Sequence, residues 1–228
     1  MCGRYTLYSH EDDLASLFEV ETYPLTERFN IAPTQDVPVI RQRADGSREM
    51  SAMRWGLVPH WVKDPASFKA NLFNARSESA AEKPSFRDAM RKQRCILPAS
   101  GFYEWQKLNG GKQPHHVVRV DGQPMAFAGL WSHNGRGAAG LNSCTILTTA
   151  ANVDVEVLHD RMPVILEQRD WARWLDPEED DPQRLEDVLV PAEAGTLRIY
   201  AVSREVGNAR VDKPELCEPW SQDSLFAE

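Results

Sequence analysis

The stretch Val37-Pro38-Val39-Ile40-Arg41-Gln42-Arg43, the turn Ala44-Asp45-Gly46-Ser47 and the return Glu49-Met50-Ser51-Ala52-Met53-Arg54-Trp55 decides how the chain folds. Two extended runs flank a turn-forming Asp-Gly pair, the pattern of neighbouring strands. Working outward, similar short runs recur at residues 95–98, 102–105, 144–149 and 198–202. Residues 115–120 and 125–130 predict a hairpin around Asp121-Gly122. Helical signals are fewer. Ser9 with Asp12 predicts a cap that opens onto Leu14, Leu17 and Phe18 on one face. Ser85 with Asp88 predicts a second cap, opening a short basic helix through Arg91 and Lys92. Residues 167–175 predict a helix stopped by Asp176-Pro177, and the segment from there to Asp187 reads as a loop. The fold class expected is α+β: a single domain with a curved, mostly antiparallel β-barrel-like core flanked by short helices.

A chain of 228 residues, 42% hydrophobic and 26% charged, can bury a substantial core as one large domain. Neither a repeat nor a linker divides it, so the domain is expected to span 1–220, with a short tail at 221–228. No basic segment leads into an apolar leader, and no apolar run approaches the roughly 20 residues of a membrane span. A cytoplasmic protein without a membrane partner is expected, nucleoid-associated when bound to DNA. Cys2, Cys95, Cys144 and Cys217 form no C-x-x-C pair, so neither a metal nor a cofactor is expected. The last three read as small buried hydrophobes.

The net charge of −8 argues against nucleic acid only superficially. Residues 40–95 carry twelve Lys and Arg against six Asp and Glu, while the rest carries fourteen against twenty-eight. One basic face toward DNA and an acidic remainder that limits non-specific binding fit this split. The acidic run at 176–181 reads as a solvated loop.

Cys2 stands apart because of its place. Removal of Met1, which a small following residue permits, would expose an α-amine and a thiol two carbons apart. Such a pair condenses with an aldehyde to a Schiff base, and the thiol then closes a thiazolidine ring. The α-amine, near 7.8, holds a few hundred times more free base at neutral pH than a lysine near 10.4. The thiol, near 8.5, is a few per cent thiolate.

Further motifs follow in order: Asn30-Ile31-Ala32-Pro33, Trp55-Gly56-Leu57-Val58-Pro59-His60-Trp61, and Asn74-Ala75-Arg76-Ser77-Glu78. Then come Pro98-Ala99-Ser100-Gly101-Phe102-Tyr103-Glu104-Trp105 and His159-Asp160-Arg161-Met162-Pro163. With Met1-Cys2-Gly3-Arg4-Tyr5 they closely resemble the SRAP family, first called SOS response-associated peptidases and now abasic-site processing proteins. The resemblance runs through Asn208, nearly the whole chain.

The resemblance implies a catalytic set of Cys2, Asn74, Glu104 and His159. Asn74 would orient the α-amine, Glu104 would serve as general acid and base, and His159 would aid proton transfer or hold the opened sugar. It also implies DNA contacts. Arg4, Arg76 and Arg161 offer guanidiniums to phosphate. Thr148 and Thr149 offer hydroxyls, and Pro33 and Trp61 offer apolar platforms to flanking bases. Val62 stands where some relatives carry a second aromatic. The implied partner is single-stranded DNA containing abasic sites, met by a monomer. A weak lyase step and autoproteolytic loss of Met1 are further expectations. Three rivals stand beside this reading: a peptidase, an N-terminal-nucleophile amidotransferase and a non-catalytic DNA-binding module.

Overall fold

The computed structural model describes residues 2–136 and 140–220; Met1, and with it the question of its removal, lies outside the described residues, as does the expected tail at 221–228. In chain order the described elements are β1 (Tyr5–Leu7), α1 (Glu11–Phe18), β2 (Arg28–Ile31), β3 (Asp36–Gln42), β4 (Arg48–Trp55) and β5 (Asn74–Arg76). They continue with α2 (Ser77–Ala80), α3 (Arg87–Lys92), β6 (Arg94–Ala99), β7 (Gly101–Leu108), β8 (Gly111–Arg119) and β9 (Met125–Asn134). The last are β10 (Leu141–Ala150), β11 (Arg161–Pro163), α4 (Trp171–Leu175) and β12 (Leu197–Ala201).

The 37–55 stretch folds as the hairpin its turn chemistry dictates. β3 and β4 pair antiparallel from Asp36↔Arg54 to Gln42↔Arg48. Gly46 takes φ +85° at the bend, a conformation glycine adopts without steric cost. From this hairpin the sheet runs β4-β3-β6-β9, and β10 closes the ring by pairing with both β9 and β4. The result is a five-stranded barrel, mostly antiparallel, as the sequence leads one to expect. β10 is parallel to β4 and, further along, to β5. A second sheet, in the order β12-β8-β7-β1-β2, lies beside it.

Gly129 marks the tightest point of the barrel wall. A Cβ there would come within 2.3 Å of Leu97 Cδ1 and 3.0 Å of both Cys95 Sγ and the Thr145 carbonyl oxygen. These neighbours sit on the paired strands β6 and β10, which cannot both retreat. Gly129→Ala is expected to destabilise the protein by about 1–3 kcal/mol, read as a lower urea midpoint at unchanged slope. An unchanged midpoint would mean that the wall is looser than drawn.

The expected hairpin around Asp121-Gly122 does not form. β8 pairs with β7 and β12, whereas β9 pairs with β6 and β10, so the turn is a crossover between sheets. Residues 125–130 are buried on both faces, which suits a barrel wall and not a sheet margin. The hairpin partner of β8 is β7, across Asn109-Gly110.

Helix starts also move. Leu14 and Phe18 are buried as expected, but α1 is capped by His10, whose Nδ1 accepts the Asp12 N–H at 3.3 Å. Ser9 instead meets Ser100, Oγ to Oγ at 3.0 Å. α3 starts after Phe86 without a side-chain cap. Residues 167–175 split into a 3-10 turn, Gln168–Asp170, followed by α4. The expected loop beyond Asp176 contains a 3-10 segment, Pro182–Val188, capped by Asp181 and burying Leu185 and Val188.

The basic segment at 40–95 divides: Lys63, Lys69, Arg76, Lys83, Arg87, Arg91 and Lys92 are exposed, while four arginines are engaged within the protein. Arg41 and Arg43 both pair with Glu49, and Arg48 pairs with Glu19. Arg94 is buried and donates to the carbonyls of Trp174, Met90, Asp176 and Glu179, so the acidic run contributes backbone oxygens to a structural anchor. Cys95 and Cys144 are buried as expected, while Cys217 is half-buried with its sulfur 3.3 Å from the Tyr103 hydroxyl.

Candidate active site

Cys2 leads into β1, which runs antiparallel to β7 with Tyr5↔Phe102 in register. The pairing continues toward the chain start, where the Tyr103 N–H reaches the Arg4 carbonyl at 3.0 Å. The same strand therefore carries Glu104 toward the first residues of the chain. Cys2 is fully buried, and its thiol leans on the Arg4 carbonyl at 3.7 Å. Burial pushes the thiol pKa up, and the nearby Glu104 carboxylate pushes it further. Both effects disfavour the thiolate relative to an exposed cysteine.

Asn74 arrives from β5, pinned parallel to β10 opposite Ile146. Its Nδ2 donates to the Cys2 carbonyl at 2.7 Å. The amide nitrogen of Asn74 is thereby tied to the nucleophile's own carbonyl. Asn74 Oδ1 is buried and accepts no hydrogen bond from the described residues. An amide held by one end keeps the other aimed.

Glu104 is 3% exposed and lines a cleft of about 710 Å³ with Trp105, Lys107, Lys112, Val157, Leu158, His159 and Asp160. His159 closes a turn that Asn152 starts, Asn152 Oδ1 accepting the Val155 N–H and the Val155 carbonyl the His159 N–H. Its Nδ1 lies 3.0 Å from the Arg161 N–H and 2.7 Å from an Asp160 carboxylate oxygen. A neutral ring accepts the first; a charged ring donates to the second. The structure therefore joins Cys2 to Asn74 and Glu104, and Glu104 to His159.

The expected DNA ligands fare unevenly. Arg76 and Trp61 are exposed, Trp61 at 47%, and Pro33 is half-buried. The Trp61 loop is pinned by Asn134, whose Nδ2 donates to the Pro59 and Val62 carbonyls, and Val62 itself is buried. Thr148 and Thr149 are both buried, and Thr148 Oγ1 donates to the Ala75 carbonyl. Their strand lies inside the structure, paired to β5 and β11. Arg161 grips Glu78 in a two-pronged pair at 2.6 and 2.8 Å and also donates to the Thr148 carbonyl. Arg4 turns its guanidinium to Asn30, Val206 and Gly207. Sequence reasoning missed Lys107 and Lys112. These directly opposed residues of the β7–β8 hairpin line the cleft, and neither ammonium pairs with a carboxylate of the described residues. The Asn109-Gly110 turn between them was the available signal. Among the described residues no cluster of His, Cys, Asp and Glu fit to hold a metal occurs.

The family model "SOS response associated peptidase (SRAP)" matches residues 1–209. The chain belongs to the SRAP family. Two relatives from Bacillus subtilis bear this out across almost the whole length. The abasic site processing protein YoqW is 39% identical over 224 residues, covering 96% of this chain and 99% of its own. The abasic site processing protein YoaM is 38% identical over 227 residues, covering 96% and 98%. A crystal structure of a Bacteroides thetaiotaomicron protein, 22% identical, superposes with a TM-score of 0.86 over 96% of this chain and all of that one, a likeness of fold alone. The mixed barrel and flanking sheet are thus the SRAP architecture, and Cys2, Asn74 and Glu104 meet within it.

Proposed function

We propose that this SRAP protein processes abasic sites in single-stranded DNA by forming a covalent thiazolidine crosslink between Cys2, freed of Met1, and the ring-opened deoxyribose. The observation that carries this reading is the meeting of three groups. Cys2 is buried, the Asn74 amide donates to its carbonyl, and the Glu104 carboxylate lies near enough to act on its sulfur. The cellular role is a shield against strand cleavage and error-prone processing, exercised by a monomer.

In this reading Glu104 protonates the ring oxygen as the sugar opens and exposes the C1′ aldehyde. The α-amine, steered by Asn74 Oδ1, adds to C1′ to give a carbinolamine. Loss of the C1′ hydroxyl as water, with a proton from Glu104 or His159, leaves the imine. The Cys2 sulfur then adds to the imine carbon, and its proton ends on the nitrogen. One water is released overall. Burial and the Glu104 charge both disfavour the thiolate, so in this reading the amine is the first nucleophile. The imine also acidifies the neighbouring C2′–H, so slow β-elimination of the 3′ phosphate is a side reaction. Arg76, Lys107 and Lys112 serve backbone phosphates, Trp61 and Pro33 the bases beside the gap, and Arg161 joins them on leaving Glu78.

Intact mass spectrometry of the purified protein, alone and after incubation with an abasic oligonucleotide, tests the reading. The expected masses are the chain less one methionine, then that mass plus the oligonucleotide less one water. A chain that retains Met1, or that gains no mass with the DNA, would sink the proposal.

A further inference from the structure

Chain ends fray unless something ties them down, and here the reacting group sits at one. The tie is visible in Arg4 and Asn30. Asn30, on β2, is fully buried and gives its Nδ2 to the carbonyls of Val206, Asn208 and Val211 at 3.2, 3.0 and 2.7 Å. Its Oδ1 accepts Arg4 Nη1 at 2.8 Å. Arg4 also reaches the Val206 carbonyl at 2.7 Å and that of Gly207 at 3.2 Å. The segment that supplies these oxygens is itself anchored. Val206 packs with Tyr103, Val202 and Leu216, and Asp212 receives Arg28 Nε and the Phe29 N–H, both at 2.6 Å.

The backbone of Arg4 completes the device. Its carbonyl accepts the Tyr103 N–H from β7 and stands 3.7 Å from the Cys2 sulfur. The side chain of Arg4 thus fixes a residue whose carbonyl touches both the nucleophile and the strand of Glu104. A guanidinium with its Nη atoms turned to internal oxygens is a poor phosphate ligand but a good strap.

We propose that Arg4 and Asn30 are positioning residues, which bind the nucleophile's segment to the carbonyls of residues 206–211 and so hold Cys2 in attacking geometry before DNA arrives. The inference rests on the crosslinking reading above. It assigns a task to the Asn30-Ile31-Ala32-Pro33 motif, whose asparagine has no place in the chemistry itself. A displacement of about 1 Å at a reacting centre costs on the order of 100-fold in rate.

The test compares wild type with Arg4→Met, Arg4→Lys and Asn30→Asp. Three quantities are read: adduct rate at saturating abasic single strand, affinity and salt slope on a strand carrying an unreactive tetrahydrofuran, and Tm. Arg4→Met is expected to slow the saturated rate by about 100-fold, with affinity within about threefold and an unchanged salt slope. Arg4→Lys, which keeps a cation able to reach Val206, is expected to recover part of that rate. Asn30→Asp keeps the acceptor for Arg4 but loses the three backbone bonds, and is expected to slow the same step if the Arg4 variants fold poorly. A salt slope reduced by about 0.7 at an unchanged saturated rate would make Arg4 a phosphate ligand and overturn the proposal. Rate, affinity and Tm falling together, with no recovery in Arg4→Lys, would reduce it to a fold contact and also overturn it. A wild-type protein that forms no adduct fails the crosslinking reading instead, which keeps the two failures apart.

Discussion

Cys2→Ala in the Met1-free protein is expected to lower the yield of denaturant-stable adduct by more than about 100-fold while leaving the α-amine in place. That amine would still condense with the opened sugar, so borohydride should trap an imine from this variant. Wild type should give a stable adduct without reductant, because the sulfur has closed the ring. A chain carrying one extra residue before Cys2 should give no stable adduct without reductant, since the Cys2 nitrogen is then an amide and no thiazolidine can close. These three proteins separate the contributions of amine and thiol. An undiminished stable adduct from Cys2→Ala would place the nucleophile elsewhere and remove the basis of the proposed chemistry.

Glu104→Gln carries the second large effect. Glutamine keeps the shape and one hydrogen-bonding oxygen but can neither give nor take a proton at working pH. The adduct rate at saturating DNA is expected to fall by about 100- to 1,000-fold, within the range for a lost general acid–base. Affinity for a tetrahydrofuran strand should change less than about threefold, because Glu104 is only 3% exposed and offers little surface to a bound strand. A second readout follows from electrostatics. After burial, the Glu104 carboxylate is the next contributor to the raised pKa of the Cys2 thiol. Removing its charge should shift the pH midpoint of Cys2 alkylation downward. Burial alone should still hold that midpoint above an ordinary thiol's. Equal losses of rate and affinity, or an unmoved alkylation midpoint, would remove Glu104 from its assigned role.

The two variants touch residues that were legible in the sequence for different reasons. Cys2 declares itself by position, since only a terminal residue can offer amine and thiol together. Glu104 declares itself only through the company of motifs, because an isolated glutamate between Tyr103 and Trp105 has an ordinary reading as a strand carboxylate. The DNA ligands were least legible. An arginine in a motif carries the same charge whether it meets a phosphate or a carbonyl, and Arg4 and Arg161 meet Val206 and Glu78. Thr148 is fixed by its strand neighbours, its hydroxyl spent on Ala75. The positive count over 40–95 likewise sums side chains that the fold uses differently: Arg41, Arg43, Arg48 and Arg94 are engaged internally, while Arg76 and six other cations of the segment are exposed.

By itself, the sequence determined the family, the strand-rich fold class, the 37–55 hairpin and the residue types that can attack an aldehyde. All of these rest on local propensity or on ordered motifs. Only the tertiary structure decided that β8 and β9 part into different sheets, that Asn74 holds the Cys2 carbonyl, and that Arg4 and Asn30 clasp residues 206–211. The reason is physical. A strand's wish to pair is written in its own residues, but its partner is chosen by burial across the whole chain. A donor's strength is likewise local, whereas its acceptor is whichever oxygen the folded chain delivers.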